Sequence, residues 1–404
     1  MLTAISLAVG GLLLLAACVL SLPVAVLCVQ ALGYLFRRAP TSSAHHQCTA
    51  PTVAVLMPAH NEAEGIARVV EALMPQLSPA DRLLVVADNC SDDTAAIALA
   101  AGAVVIQRND PMQRGKGYAL DRGVRELAAN APEVVIIIDA DCELAPGALS
   151  LLAQACVDTG RPVQASYLME LPEAPSTGLR IAAFAWLVKA RLRAQGSHRL
   201  GLPCQLMGTG MALPWPVLRR APLASGNIVE DLQLGVDLAL AGSPPLLCAE
   251  AVVRSWFPSS VDAANSQRTR WEHGHIATLT SQVPRLVVAA CRQRRPVLLA
   301  IAAELAVPPL SLLLLLQSMV LVACTVVWLA TGLGAGLMVS AMNTGLILVT
   351  LTIAWCSFGR SVISLRQLAG VPLYVLAKVP MYLRALGSKR QASWVRTGRG
   401  PPKS

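Results

Sequence analysis

Four short groups of polar residues in this 404-residue chain have the types and spacing to do chemistry. Asp139-Ala140-Asp141 follows the apolar run Val134–Ile138. Two carboxylates one residue apart repel each other unless a cation or hydrogen-bond donors lie between them. Oxygen ligation of that sort suits Mg2+ or Mn2+, which bind through one or two carboxylates plus substrate phosphates. Asp88 ends an earlier run, Leu83–Ala87, and opens Asp88-Asn89-Cys90-Ser91. Glu230-Asp231 begins a helix-like stretch to Ala241, where acidic residues also complement the helix dipole. Gln267-Arg268-Thr269-Arg270-Trp271 offers a guanidinium and an indole, a pairing that also fits an amphipathic helix with a snorkelling arginine. His273 and His275 flank it and read as surface residues rather than metal ligands.

Three better-known motifs are excluded. Pro58-Ala59-His60-Asn61-Glu62 is not G-x-G-x-x-G, which argues against dinucleotide binding on a glycine turn. Arg114-Gly115-Lys116-Gly117 lacks the first glycine of a P-loop and the Ser/Thr after its lysine. A phosphatase of the dehalogenase type also uses Asp-x-Asp, but early in the chain and with Thr or Val just beyond; here Cys142 and Glu143 follow, in mid-domain.

The elements that must carry these residues alternate. Short β-branched runs at Val53–Met57, Leu83–Ala87, Val104–Ile106 and Val134–Ile138 are interleaved with helical patterns at 62–74, 92–101 and 146–156. This predicts an α/β fold with a parallel sheet covered by helices. Ligands bind at the carboxyl ends of such strands, where the polar groups stand.

Composition places the chain at a membrane. It is 54% apolar and 14% charged, against about a quarter charged for an average soluble protein. Residues 1–36 carry no charge, and no acidic residue follows Glu304. The nine basic residues from Arg360 to Lys403 therefore supply the whole net charge of +9. Beside apolar runs they point to lipid rather than nucleic acid. Eleven cysteines without a C-x-x-C pair form no disulfide framework and no zinc spacing.

An uncharged run over 2–36 is long enough to span a bilayer, which takes about 20 residues. Arg37 and Arg38 close it, which puts the following domain in the cytoplasm by the positive-inside rule. Pro308-Pro309 interrupt the next apolar stretch, so 297–313 is expected to be interfacial or re-entrant, with spans at 317–334 and 341–358. That even number keeps the basic tail inside. Tyr374, Tyr382 and Trp394 among Lys378, Arg384, Lys389 and Arg390 suggest an amphipathic surface helix on anionic lipid. The expected division is an anchor over 1–38, a catalytic domain over 39–290, membrane segments over 291–360 and a cytoplasmic tail over 361–404.

Taken in order, Asp88, Asp139-Ala140-Asp141, Glu230-Asp231 and Gln267-x-x-Arg270-Trp271 resemble the D, D-x-D, E-D, Q-x-x-R-W signature of membrane-bound family 2 glycosyltransferases. This group includes cellulose, chitin, hyaluronan and poly-N-acetylglucosamine synthases and ceramide glucosyltransferase. Pro58–Glu62 and Arg114–Leu120 resemble it too. The resemblance implies a GT-A type, Rossmann-like fold, with a mostly parallel sheet, helices on both faces and flanking transmembrane helices. It further implies an inner-membrane, multi-pass enzyme that moves a sugar with inversion from a nucleotide donor, usually UDP, to a glycan acceptor.

Residue by residue, it implies that Asp88 contacts the base. Asp141 would hold Mg2+ or Mn2+, with Asp139 on the metal or ribose. Asp231 would be the general base. Arg270 and Lys116 would meet the donor. Trp271, Gln267, Glu230 and the Gly208-Thr209-Gly210 segment would border the acceptor. Polar residues inside spans usually mark translocation paths, and Glu304 and Gln317 are the only clear candidates, little material for a private polysaccharide channel. Single-sugar transfer to a lipid or polyprenyl-linked acceptor, or export through a partner protein, therefore stand as alternatives.

Overall fold

Strands form where β-branched residues cluster. In the computed structural model, which describes residues 2–36, 50–226, 229–258 and 261–386, they are β1 (Val53–Ala59), β2 (Arg82–Asp88), β3 (Val104–Arg108), β4 (Val134–Ile137), β5 (Glu143–Leu144), β6 (Val163–Glu170), β7 (Met211–Pro214) and β8 (Leu246–Trp256). Arg37 and Arg38 at the end of the first span, and Lys389, Arg390 and Trp394 of the tail, lie outside the described residues. The helices are α1 (Leu2–Leu35), α2 (Ile66–Leu73), α3 (Thr94–Ala100), α4 (Lys116–Leu127), α5 (Ala148–Thr159), α6 (Thr177–Leu187), α7 (Ala194–Arg199), α8 (Trp215–Leu218), α9 (Glu230–Leu240), α10 (Val261–Gln293), α11 (Val297–Ala306), α12 (Leu310–Thr331), α13 (Ala335–Ser357), α14 (Leu365–Leu368), α15 (Val371–Ala377) and α16 (Val379–Leu386).

The chain divides into two compact units. In one, whose described residues are 50–174, 201–226, 229–258 and 261–301, all eight strands form a single sheet in the order β3-β2-β1-β4-β7-β6-β8-β5. β3, β2, β1 and β4 run parallel. All seven residues of β1 are buried, the continuous apolar pattern of a strand covered on both faces. Leu56, Val86 and Ile137 from this half pack with Leu120 of α4 and Leu234 and Leu238 of α9 in the main core. The other half is mixed: β7 is antiparallel to β4 and β6, β8 is parallel to β6, and β5 is antiparallel to β8. The sheet is thus less uniformly parallel than the alternation predicts, because β7 inserts between two strands of opposite sense.

The second unit comprises described residues 2–36, 175–200 and 302–386. Residues 175–200 lie within the stretch expected to form the catalytic domain, yet they cluster with the apolar helices. Among the described residues, three helices are long and apolar enough to cross a membrane, within Ala4–Leu35, Leu310–Thr331 and Ala335–Ser357. α11 has only 10 residues, too few to span. The second span begins at Leu310 rather than 317, because Pro309 serves as the N-cap of α12.

Polar residues glue these helices together. The Gln317 amide donates to Ser340 Oγ (2.9 Å) and to Thr344 Oγ1 (3.1 Å). The Asn343 amide donates to the carbonyl of Ala17 (3.0 Å), and Ser21 Oγ donates to Asn343 Oδ1 (3.1 Å). α1 and α7 touch backbone to backbone: a Cβ on Gly196 would lie 1.9 Å from the carbonyl oxygen of Gln30. Small residues at such crossings let helix axes approach closely.

The described part of the tail, to Leu386, is a series of short helices. Tyr382 is buried, its hydroxyl 2.7 Å from Ser311 Oγ, to which Lys378 Nζ also donates (3.0 Å). Leu365 (65% exposed), Leu373 (74%), Leu376 (59%) and Leu383 (62%) point outward.

Candidate active site

Asp88 and Asp139 stand at the carboxyl ends of parallel strands in the sheet unit. β1 lies between β2 and β4, so the two positions are separated by about 10 Å of sheet. Asp139 and Asp141 sit on a tight turn after β4, in which the Cys142 N–H donates to the Asp139 carbonyl (3.0 Å). This turn brings Asp139, Asp141 and Cys142 together with ligand atoms all within 4.8 Å. The Cys142 thiol donates to Asp141 Oδ1 (3.3 Å). Two partly exposed carboxylates from one turn suit a hard divalent cation, whose remaining positions go to water and phosphate.

Beside the turn runs the Gly208-Thr209-Gly210 segment, where Gly208 (φ 86°) and Gly210 (φ 66°) adopt backbone conformations that L side chains rarely occupy. Thr209 Oγ1 accepts the Asp139 N–H (3.1 Å), and the Gly210 N–H donates to the Ile137 carbonyl (2.9 Å). Gln164 on β6, fully buried, clamps the segment. Its amide donates to the Thr209 carbonyl (2.8 Å), and its Oε1 accepts the Met207 N–H (2.8 Å). Sequence reasoning missed Gln164, which carries no motif and owes its place to strand pairing.

Lys116, the first residue of α4, reaches into the same place. Its ammonium lies 2.5 Å from Asp139 Oδ1 and 3.7 Å from Glu230 Oε1, and donates to the Gly208 carbonyl (2.7 Å). A Cβ on Gly208 would lie 3.4 Å from both Lys116 Nζ and Asp231 Oδ2, which places Asp231 at this point too. Burial alone would lower the Lys116 pKa, but Asp139, Glu230 and Asp231 outweigh it and hold the ammonium above the ordinary lysine range. Burial and the neighbouring Asp231 charge push the Glu230 carboxyl up, against the pull of Lys116. The structure thus gathers Lys116, Asp139, Gly208, Glu230 and Asp231 around one pocket, with Asp141 beside Asp139.

α10 carries the remaining group. Gln267 is buried, and Gly274 packs against Val229, the residue just before Glu230. Arg270 and Trp271 lie on this helix, which packs against α9. His275 is buried rather than at the surface, because residues two apart on a helix face nearly opposite sides.

Asp88 forms a separate cluster. It is wholly buried; its Oδ1 accepts from Arg108 Nη1 (2.7 Å) and from the Asn89 amide (3.0 Å), while its buried Oδ2 has no protein partner. Such an oxygen suits an incoming N–H donor. Arg108, the cross-strand neighbour of Asp88 on β3, was also missed from sequence, where the pairing is invisible. Arg108→Leu should cost about 1–3 kcal/mol by stripping a buried carboxylate of its main partner. Thermal unfolding of the purified chain checks this; an unchanged midpoint refutes it.

A sheet whose parallel half ends in acidic residues and whose other half is mixed has the GT-A-like fold of glycosyltransferases. The chain belongs to the family described as glycosyltransferase like family 2, which matches residues 50–274, more than half of its length. It is 32% identical over 222 residues to Rv0539, an uncharacterized glycosyltransferase of Mycobacterium tuberculosis, covering 54% of this chain and 86% of that protein. It is 38% identical over 96 residues to glucosyl-3-phosphoglycerate synthase of Mycolicibacterium smegmatis, covering 22% of this chain but only 31% of that enzyme. Among solved structures, the mannosyltransferase PcManGT of Pyrobaculum calidifontis, in complex with GDP-Man and Mn2+, shares the fold with a TM-score of 0.54 at 16% identity, over 96% of this chain and all of that one.

Proposed function

We propose that the chain is a membrane-bound, inverting glycosyltransferase whose 39–290 region, apart from residues 175–200, faces the cytoplasm and uses a UDP-sugar. The observation that carries this is the convergence of Asp139, Glu230 and Asp231 on Lys116, with Asp141 alongside. Asp88 receives the base through its open Oδ2. Asp141 and Asp139 hold Mg2+ or Mn2+, which neutralises charge on the departing diphosphate when bound. The planar guanidinium of Arg270 matches phosphate oxygens, and the Trp271 indole offers an apolar face to the acceptor sugar. Asp231 accepts the proton of the acceptor hydroxyl as that oxygen bonds to the anomeric carbon and the nucleoside diphosphate leaves.

For the acceptor, a lipid or polyprenyl-linked sugar has more support than a polysaccharide threaded through this chain's own channel. Gln317 and Asn343 are engaged in helix–helix contacts, and Glu304 is paired with Arg193. Surface polysaccharide made with a separate export partner is the remaining reading. Membranes holding the chain should release UDP from at least one of a panel of UDP-sugars, and chelation of Mn2+ and Mg2+ should stop it. Labelled product should extract into organic solvent; a water-soluble polymer would favour the polysaccharide reading, and no UDP release from any donor would end both.

A further inference from the structure

We infer that Lys116 is an internal cation that occupies the metal-binding carboxylate Asp139 until a donor's diphosphate draws it away, so that metal and donor enter the pocket together. This rests on the donor-site reading proposed above and adds an order of events to it.

An ammonium has three N–H donors and no acceptor. Here two are directed to Asp139 Oδ1 (2.5 Å) and the Gly208 carbonyl (2.7 Å), and Glu230 Oε1 lies 3.7 Å away as an ion-pair neighbour. The ammonium is held at Asp139 by the shortest of these contacts, and turning it toward a phosphate loosens that pairing. Asp139 is the partner in contest. It belongs to the Asp139-Asp141 pair, its side chain is 29% exposed against 18% for Glu230, and a cation placed on it would stand close to the ammonium. Two positive charges at that separation repel strongly in a partly buried pocket. A metal ion arriving alone therefore competes with Lys116 for the same oxygen. A diphosphate offers the ammonium a new acceptor, and the four-carbon stem gives the reach to use it. By linkage, whatever the donor does for metal affinity, the metal does for donor affinity.

The test uses the full chain in nanodiscs. Mn2+ binding is followed by the electron paramagnetic resonance signal of the free aqueous ion, for wild type and Lys116→Met, with and without UDP, against a UDP-only control. Lys116→Met should bind Mn2+ alone about tenfold more tightly than wild type, and UDP should tighten it by a smaller factor. A purely structural role for Lys116 would not strengthen metal binding. Equal or weaker Mn2+ binding by Lys116→Met, with an unchanged unfolding midpoint, overturns the inference. Should that variant not fold, wild-type crystals soaked in Mn2+ with and without UDP decide. A manganese peak on Asp139 and Asp141 without UDP overturns the inference, and a peak that forms only when UDP is soaked in too, with Lys116 turned from Asp139 to the diphosphate, supports it. Wild type that binds Mn2+ and UDP while Lys116→Met is unaltered sinks only the role of Lys116. Wild type that binds neither removes the donor-site reading and this inference with it.

Discussion

Asp231→Asn should lower turnover by about 10²–10⁴-fold, the usual contribution of a positioned general base, while leaving UDP affinity within a fewfold of wild type. Asparagine keeps the shape of the side chain and its place near Gly208 and Lys116, but cannot take a proton from the acceptor hydroxyl. The first turn of α9 should form as before, since Glu230 still provides an acidic residue there. Single-turnover measurement of UDP release, alongside calorimetric titration of UDP, separates the two effects. Near-normal turnover would remove Asp231 from its proposed role, and loss of UDP binding would recast it as a donor contact. Glu230→Gln serves as comparison. Because Glu230 lies 3.7 Å from Lys116, its loss should act on the pocket's electrostatics rather than on the acceptor proton.

The second large effect concerns stability, in the unit of apolar helices. Arg193 and Glu304 are both buried, and Arg193 Nη2 donates to Glu304 Oε1 (3.1 Å) and to the Glu304 carbonyl (2.8 Å). Arg193 Nε donates to Gln30 Oε1 (2.9 Å), and the Gln30 amide donates to Glu304 and to Ser197 Oγ (3.1 Å). The network ties α1, α7 and α11 to the segment between α6 and α7. Glu304→Leu should cost about 3–5 kcal/mol, because it leaves the guanidinium buried without a counter-charge. The double variant Arg193→Met with Glu304→Leu should recover most of that loss, since replacing both ions by apolar groups of similar size is often close to neutral. Unfolding midpoints in nanodiscs give the comparison. A stable Glu304→Leu variant would show that water or lipid headgroups reach Arg193. Glu304, which stands out in the sequence as a possible channel residue, is in this structure half of an internal ion pair.

Much of the architecture is legible in the sequence because it depends on local pattern. β1 to β4 are continuous apolar runs with turns at their ends, and the three candidate spans are uncharged stretches of sufficient length; neither property needs knowledge of what lies next to it. The acidic groups could be ordered along the chain and placed at strand ends for the same reason. β6, β7 and β8 were not legible, since their identity as strands rests on pairing with segments as much as 111 residues away, as between Glu143 and Arg254. Nor was the separation of residues 175–200 from the sheet unit, which follows from their packing with α1 and α13. The sequence by itself determined that a row of strand ends would carry carboxylates and that apolar helices would flank the sheet. Only the tertiary structure decided that Lys116 comes to lie between Asp139 and Glu230, that Arg108 neutralises Asp88, and that Gln164 braces the Gly208-Thr209-Gly210 segment beside Asp139. Each of these is a contact between charges or amides far apart in the chain, and its energy exists only once the backbone has brought the partners within hydrogen-bonding distance.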